Sequence, residues 1–328
     1  MSDPVPPAAP ICLLVAGMHR SGTSMTARLL SILGCRLPRD LAAVDAANPM
    51  GYWEPARLIA LHEALLVAAR SDWNDFTRLD PARVPPDALA AYRAGLATML
   101  AEEAGGAPDD PPPVLLWKEP RMCRLLGLTL PALRALGAGA QVVIPWRHPA
   151  EVAASLNRIR PYPAQAGVLL WLRHNLDAER DSRGVPRAVL GYDGTMADWA
   201  GQMRRVAAQL GQGWPVDDPA VAQRVAGFIR PGARHHAAPH PDWAAGLGRA
   251  GEMAAALLPA LDALAEDPGD AAARTTCDAL TSELEALDAL VGPTLAYQFD
   301  YTHGLAARAA EARRRARRLA RRAPPATR

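Results

Sequence analysis

The chain has 328 residues, half of them hydrophobic, and a formal net charge of +2. That length and apolar content support one sizeable core with room for a smaller appended unit, and a charge so near zero excludes any case for nucleic-acid binding from bulk electrostatics. Four scattered cysteines, Cys12, Cys35, Cys123 and Cys277, have no C-x-x-C spacing, so they read as reduced, buried thiols of a cytoplasmic protein, not as a disulfide framework or zinc knuckle.

Residues 1–10 carry an acid and several prolines and read as a disordered N-terminus, neither signal peptide nor membrane span. Ile11–Ala16 is a short apolar run, followed by the polar turn Gly17-Met18-His19-Arg20-Ser21-Gly22-Thr23-Ser24 and an apolar-periodic segment to Leu33. This predicts a buried strand, a tight turn and a helix. Backbone N–H groups at a helix N-terminus have no intrahelical partner, and the helix dipole adds positive charge there. Gly17 and Gly22 allow close backbone approach, Arg20 adds a fork of donors, and Ser21, Thr23 and Ser24 add hydroxyls. The turn therefore reads as a phosphate cradle, against the plainer reading of a strand–turn–helix with hydroxyl caps. It is not the usual nucleoside-triphosphate loop, because Thr23 stands where G-x-x-x-x-G-K-[ST] requires lysine.

Asn48–Pro55 (NPMGYWEP) sets turn formers beside Tyr52, Trp53 and one carboxylate, Glu54. Helices are expected over Leu58–Ala69 and Asp80–Leu100, then a stiff Pro/Gly linker at 105–113. A second strand, Val114–Trp117, ends at Lys118-Glu119-Pro120-Arg121. Leu125–Leu136 reads as a helix, with Pro131 as a candidate break. A third strand, Gln141–Ile144, ends at Arg147-His148, with helices at Ala150–Asn157 and Ala164–Arg180. A fourth strand, Ala188–Gly191, ends at Tyr192-Asp193, with a helix over Thr195–Leu210. Strands alternating with helices predict an α/β fold, a P-loop-like, mostly parallel sheet flanked by helices. Each strand ends in a polar cluster, which places a ligand site along one sheet edge.

From residue 242 the strand signals stop. Ala244–Leu264, Ala271–Leu290 and Leu305–Arg322 read as helices separated by Asp267-Pro268-Gly269 and Gly292-Pro293. The division expected is thus 1–10, a domain over 11–241 and a C-terminal helical extension over 242–328. Residues 305–322 carry eight arginines against Glu311. They suit an acidic membrane surface, a polyanion or a partner protein, or simply form a solvated basic end.

Of 36 basic residues only Lys118 is lysine. The composition suggests a coding bias toward arginine, so a surviving lysine marks a place for a compact point charge where a planar fork fails. Arg234-His235-His236 with His240 lacks a nearby carboxylate or cysteine and is a poor metal site; no metal is assigned. Trp53 and Trp73 are the indoles placed to stack on a sugar ring.

HRSGTS resembles the 5′-phosphosulfate loop of sulfotransferases that use 3′-phosphoadenosine 5′-phosphosulfate (PAPS), and Arg147-His148-Pro149 with Ser155 resembles their 3′-phosphate motif. The likeness covers roughly residues 10–236 and is closest to a bacterial branch with GMHRSGTS, NPxGYWE and WKxPR segments. It implies that Gly17–Ser24 hold the 5′-phosphosulfate, that Arg147 and Ser155 hold the 3′-phosphate, and that Tyr192 packs on the adenine. The chain lacks the C-terminal G-x-x-G-x-x-K loop of the steroid and phenol enzymes and has arginine where their loop has lysine, so their acceptors do not transfer to it.

Sulfuryl transfer needs charge stabilisation, an in-line acceptor and a proton acceptor. Arg20 and the loop amides answer the first need, with Lys118 as a further donor. Glu54 is the first choice of base, with His62 and His19 as rivals. The reaction expected is metal-free transfer from PAPS to a hydroxyl, on a carbohydrate or glycolipid by family analogy. The alternatives are a P-loop kinase or NTPase, and a non-catalytic nucleotide-binding scaffold acting through its basic end.

Overall fold

A computed structural model describes residues 9–44, 51–105, 113–159, 161–229, 240 and 242–322, the side chains of 159, 303 and 305–322 excepted. The Arg234-His235-His236 cluster and Asn48-Pro49 lie outside the described residues.

In chain order the elements are β1 (Ile11–Val15), α1 (Thr23–Ile32), α2 (Ala56–Ala68), α3 (Pro86–Glu103), β2 (Val114–Lys118), α4 (Met122–Ala135), β3 (Gly139–Trp146), α5 (Pro149–Ile159) and α6 (Ala164–Asp181). They continue with β4 (Arg187–Gly191), α7 (Tyr192–Ala197), α8 (Trp199–Leu210), α9 (Pro219–Ala226), α10 (Gly248–Glu266) and α11 (Ala271–Arg322). The four strands form one parallel sheet in the order β2-β1-β3-β4.

Both sheet faces are covered, which is why the strands read as near-continuous apolar runs. Cys12, Leu14, Leu115, Trp117, Val142, Ile144 and Val189 point into one core with α2, α3, α4, α6 and α10. Their neighbours Leu13, Val15, Leu116, Val143, Ala188 and Leu190 point into the other, against α1, α8 and α9. This is the period-two alternation of a pleated strand. α10 shares the first core through Met253, Ala254, Leu257, Leu261 and Leu264, and α11 joins it through Ala273, Cys277, Leu280 and Leu284. All four cysteines are buried and free.

The sequence boundaries hold to within a few residues for the strands, and several helices differ. Pro131 sits inside α4 without ending it. The segment expected as one helix from Thr195 is two, α7 and α8. They divide at Asp198, whose carboxylate accepts from the Gly201 amide as the cap of α8. α9 has no counterpart in the sequence reading; it starts at Asp218, which caps it, with Pro219 at its first position. Gly292-Pro293 does not break the C-terminal helix, which runs unbroken from Ala271 to Arg322. A proline removes one backbone hydrogen bond, and here the helix is tied down on both sides of it. Asp288 takes the fully buried Arg173 guanidinium at 2.7 Å, and Asp300 takes Arg70 Nε at 2.7 Å. No described helix is long and apolar enough to cross a membrane.

Candidate active site

The strand order makes the C-terminal end of β1 and β3 the switch point of the sheet, where chain connections leave in opposite directions and a crevice opens. Val15 is in register with Lys118 of β2 and Val143 of β3, and Trp146 with Gly191 of β4. The four polar clusters expected at strand ends therefore share one edge.

The β1–α1 loop is held tightly against β3. A methyl group at Gly17 would stand 2.6 Å from the Pro145 carbonyl oxygen, so only glycine fits. Gly22 adopts φ +84° as the residue before α1, and a methyl group there would meet the Tyr192 ring at 2.6 Å. Between them Arg20 takes φ 70°, a left-handed conformation costly for a side chain with a Cβ. That turn carries Arg20 Nε to the Ser155 hydroxyl at 2.8 Å, joining the loop to α5. Ser21 Oγ and His19 Nε2 are buried polar atoms with no hydrogen-bond partner. Such groups are costly unless something accepts or donates there. With the first-turn amides of α1, they form a cradle that suits an oxyanion.

Beside the cradle is a cavity of about 330 Å³ lined by His19, Arg20, Thr23, Ser24, Ala42, Ala43, Tyr52, Glu54, Ile59, Lys118, Pro120 and Arg121. Lys118, the last residue of β2, is 1% exposed. Its ammonium donates to Glu54 Oε1 at 2.5 Å, to the Tyr52 carbonyl at 3.0 Å and to Ser24 Oγ at 3.3 Å. Glu54 reaches it because Gly51 and Trp53 take positive φ and bend the segment inward. The backbone is then pinned where Ala42 N–H donates to the Glu54 carbonyl at 2.7 Å and Ala56 N–H to the Asp40 carbonyl at 2.7 Å. Burial raises the Glu54 carboxyl above its ordinary value against the opposing charge of Lys118. Burial lowers the Lys118 ammonium against the opposing charge of Glu54. The two proton affinities thus move toward each other.

His19 and His62 fare differently as rivals for the base. The His19 ring lies 4.6 Å from Trp73, and burial pushes its pKa down to about 4. His62 is fully buried and its Nδ1 meets Glu119 Oε2, so no acceptor can touch it; the expectation of His62 as base is corrected to a support. Glu119 is the residue that sequence reasoning passed over. Fully buried, it accepts from His62, from the Arg121 amide at 3.0 Å and from Arg121 Nη1 at 2.5 Å. Burial would raise its carboxyl, but the His62 hydrogen bond and the Arg121 charge outweigh that and hold it down to about 2. Its place between Lys118 and Pro120-Arg121 was the only sequence signal.

Arg147 and Ser155, expected to share one phosphate, each hold another partner. Arg147 Nε donates to Glu151 at 2.7 Å, and its guanidinium lies 4.3 Å over the Tyr192 ring. Ser155 is engaged by Arg20. Arg147 and Tyr192 line a second cavity of about 400 Å³, with Trp146, His148, Gln202, Arg205, Asp262 and Glu266. The indoles expected to stack on a sugar are not in the first cavity. Trp53 lies under Arg28, 4.8 Å from its guanidinium, and Trp73 packs on His19 and Tyr162. Tyr52 is the aromatic residue of that wall.

No protein-family model matches this chain, and no curated protein does. Among solved structures, the sulfotransferase domain of the Synechococcus PCC 7002 olefin synthase is 17% identical, with a TM-score of 0.39, over 75% of this chain and 89% of that one. The sulfotransferase domain from the curacin biosynthetic pathway is 13% identical, with a TM-score of 0.39, over 66% and 78%. Sulfotransferase STF9 from Mycobacterium avium is 15% identical, with a TM-score of 0.37, over 69% and 70%. Overlaps this loose supply no residue-by-residue correspondence.

Proposed function

We propose that this protein is a PAPS-dependent sulfotransferase acting on an acceptor hydroxyl. The observation that carries the reading is the position of the chain's one lysine: it is buried at a strand end and opens on the same cavity as the glycine-bounded cradle and the Glu54 carboxylate. The orphaned Ser21 Oγ and the close-fitting Gly17 and Gly22 suit a phosphate-type oxyanion. When bound, the donor supplies a sulfuryl group whose bond to the phosphate oxygen breaks as one to the acceptor oxygen forms.

The chain's residues would divide the work as follows. The α1 first-turn amides, Arg20, Ser21, Thr23 and Ser24 hold the 5′ end. Arg147, Tyr192 and Ser155 serve the 3′-phosphate and base. Lys118 Nζ neutralises charge on the leaving oxygen, in a buried site where that charge is worth most. Glu54 takes the acceptor's hydroxyl proton, and the raised proton affinity that burial gives it suits that task. The walls from Ala42, Ala43, Tyr52 and Ile59 leave room for an acceptor beside Glu54, and a carbohydrate or glycolipid hydroxyl is the class that the sequence resemblance implies. The arginine-rich end of α11 would add contact with an acidic membrane face or a partner protein.

The test is Lys118→Met with labelled PAPS and a pool of hydroxyl-bearing glycans and lipids. Transfer is expected to fall at least about 100-fold, with binding of adenosine 3′,5′-bisphosphate within about threefold of wild type. Normal turnover by the variant would refute the mechanism.

A further inference from the structure

An ammonium has three protons to donate, and within this protein Lys118 donates all three. Glu54 takes one at 2.5 Å, the Tyr52 carbonyl another at 3.0 Å and Ser24 Oγ the third at 3.3 Å. With its side chain 1% exposed, Lys118 has little water to turn to. It can serve an anion in the cavity only by giving up a bond it already has. Glu54 is the charged partner of the three and faces the same cavity. An anion arriving at Lys118 is therefore repelled by the carboxylate that holds it. Ser24 stands in the first turn of α1, at the cradle, so the contact that Lys118 makes there lies where an anion in the cradle is felt first.

The same pairing controls Glu54. A carboxylate bound to an ammonium has its charge neutralised and a lone pair engaged, so Lys118 holds its basicity below what its burial alone would give. Released, it stays in the cavity wall, 12% exposed, as a stronger base.

We infer that Lys118 is a two-position cation that locks Glu54 until sulfuryl oxygens in the cradle draw the ammonium away, so that the base becomes available only after the donor has bound. The inference rests on the donor reading above. It makes the site self-ordering, with donor first and acceptor second. It also makes Glu54 and the sulfuryl group competitors for one cation.

The sole lysine makes the test direct. Protein labelled with [15Nζ]lysine has one side-chain ammonium resonance, that of Lys118. It is titrated with PAPS and with adenosine 3′,5′-bisphosphate, which differ by the sulfuryl group alone, and both affinities are measured for wild type and Glu54→Gln. The resonance is expected to shift distinctly farther with PAPS than with the bisphosphate, whose 5′-phosphate reaches the cradle without the sulfuryl oxygens. Glu54→Gln, which removes the competitor, is expected to tighten PAPS about tenfold and to leave the bisphosphate within about twofold. Equal shifts with both nucleotides, or a Glu54→Gln affinity for PAPS that is unchanged or weaker, would overturn the lock. Should Glu54→Gln fail to fold, the wild-type resonance decides alone. Failure of wild type to bind either nucleotide would instead refute the donor reading and the lock with it.

Discussion

Glu119 shows how a single buried charge organises the floor of the site. It joins α2, through His62, to the turn after β2, through Arg121, and Arg121 in turn reaches Glu63 at 2.7 Å. A buried carboxylate survives only with such partners, so these residues fix the strand end from which Lys118 projects. Histidines buried without a charge partner act in the opposite way. Burial pushes the His174 pKa down to about 3, and its Nδ1 lies 2.8 Å from the Leu170 carbonyl. The unfolded chain binds a proton there near pH 6.5 and the folded protein does not until about pH 3. Its contribution to stability is therefore complete above pH 6.5 and declines as the pH falls from 6.5 toward 3. His174→Asn should flatten the dependence of the urea midpoint on pH by up to one proton between pH 6.5 and 4.5; identical slopes in the two proteins would contradict this. Composition and turn chemistry singled out Lys118 and Glu54, which the fold brings together at one cavity. Glu119 and the burial of His62 were not legible in the sequence, because both follow from tertiary packing that no local pattern encodes.

At the scale of elements, the β1–α1 loop matters most. Its shape is enforced from outside: Pro145 of β3 closes on Gly17, and Tyr192 of α7 closes on Gly22. Gly22→Ala would meet a double penalty, a positive φ and a ring 2.6 Å from the new carbon. Binding of adenosine 3′,5′-bisphosphate should weaken at least about tenfold, with the rest of the sheet still folded by circular dichroism. Unchanged affinity would mean that the loop is not the cradle. The strands and this loop were readable because apolar runs bounded by polar turns are local signals. The helix ends were less so. Pro131 and Pro293 are breakers by local rule, yet packing of α4 and the Arg173–Asp288 and Arg70–Asp300 pairs of α11 carry both helices through. The division at Asp198 was visible in principle, since Asp is a strong cap, but the apolar pattern ran across it.

At the scale of the whole molecule, the order β2-β1-β3-β4 brings two cavities to one edge, one holding Lys118 and Glu54 and the other Arg147 and Tyr192. The sequence alone pointed to that edge, because all four apolar runs end in polar clusters. It could not show that Ser155 would be bound by Arg20, or that Arg147 would turn toward Tyr192 and Glu151, because side-chain direction depends on neighbours far along the chain. On the proposed reading the two cavities take the two phosphate ends of one nucleotide, and the loop, with Thr23 at the position of the nucleoside-triphosphate lysine, is expected to bind it without a metal ion. Calorimetric binding of adenosine 3′,5′-bisphosphate and of ADP, each with and without Mg²⁺, tests this directly. Tight binding of the bisphosphate that ignores Mg²⁺ is expected, with ADP weaker by at least about tenfold. A preference for ADP that depends on Mg²⁺ would contradict the proposed reading and favour a kinase or NTPase.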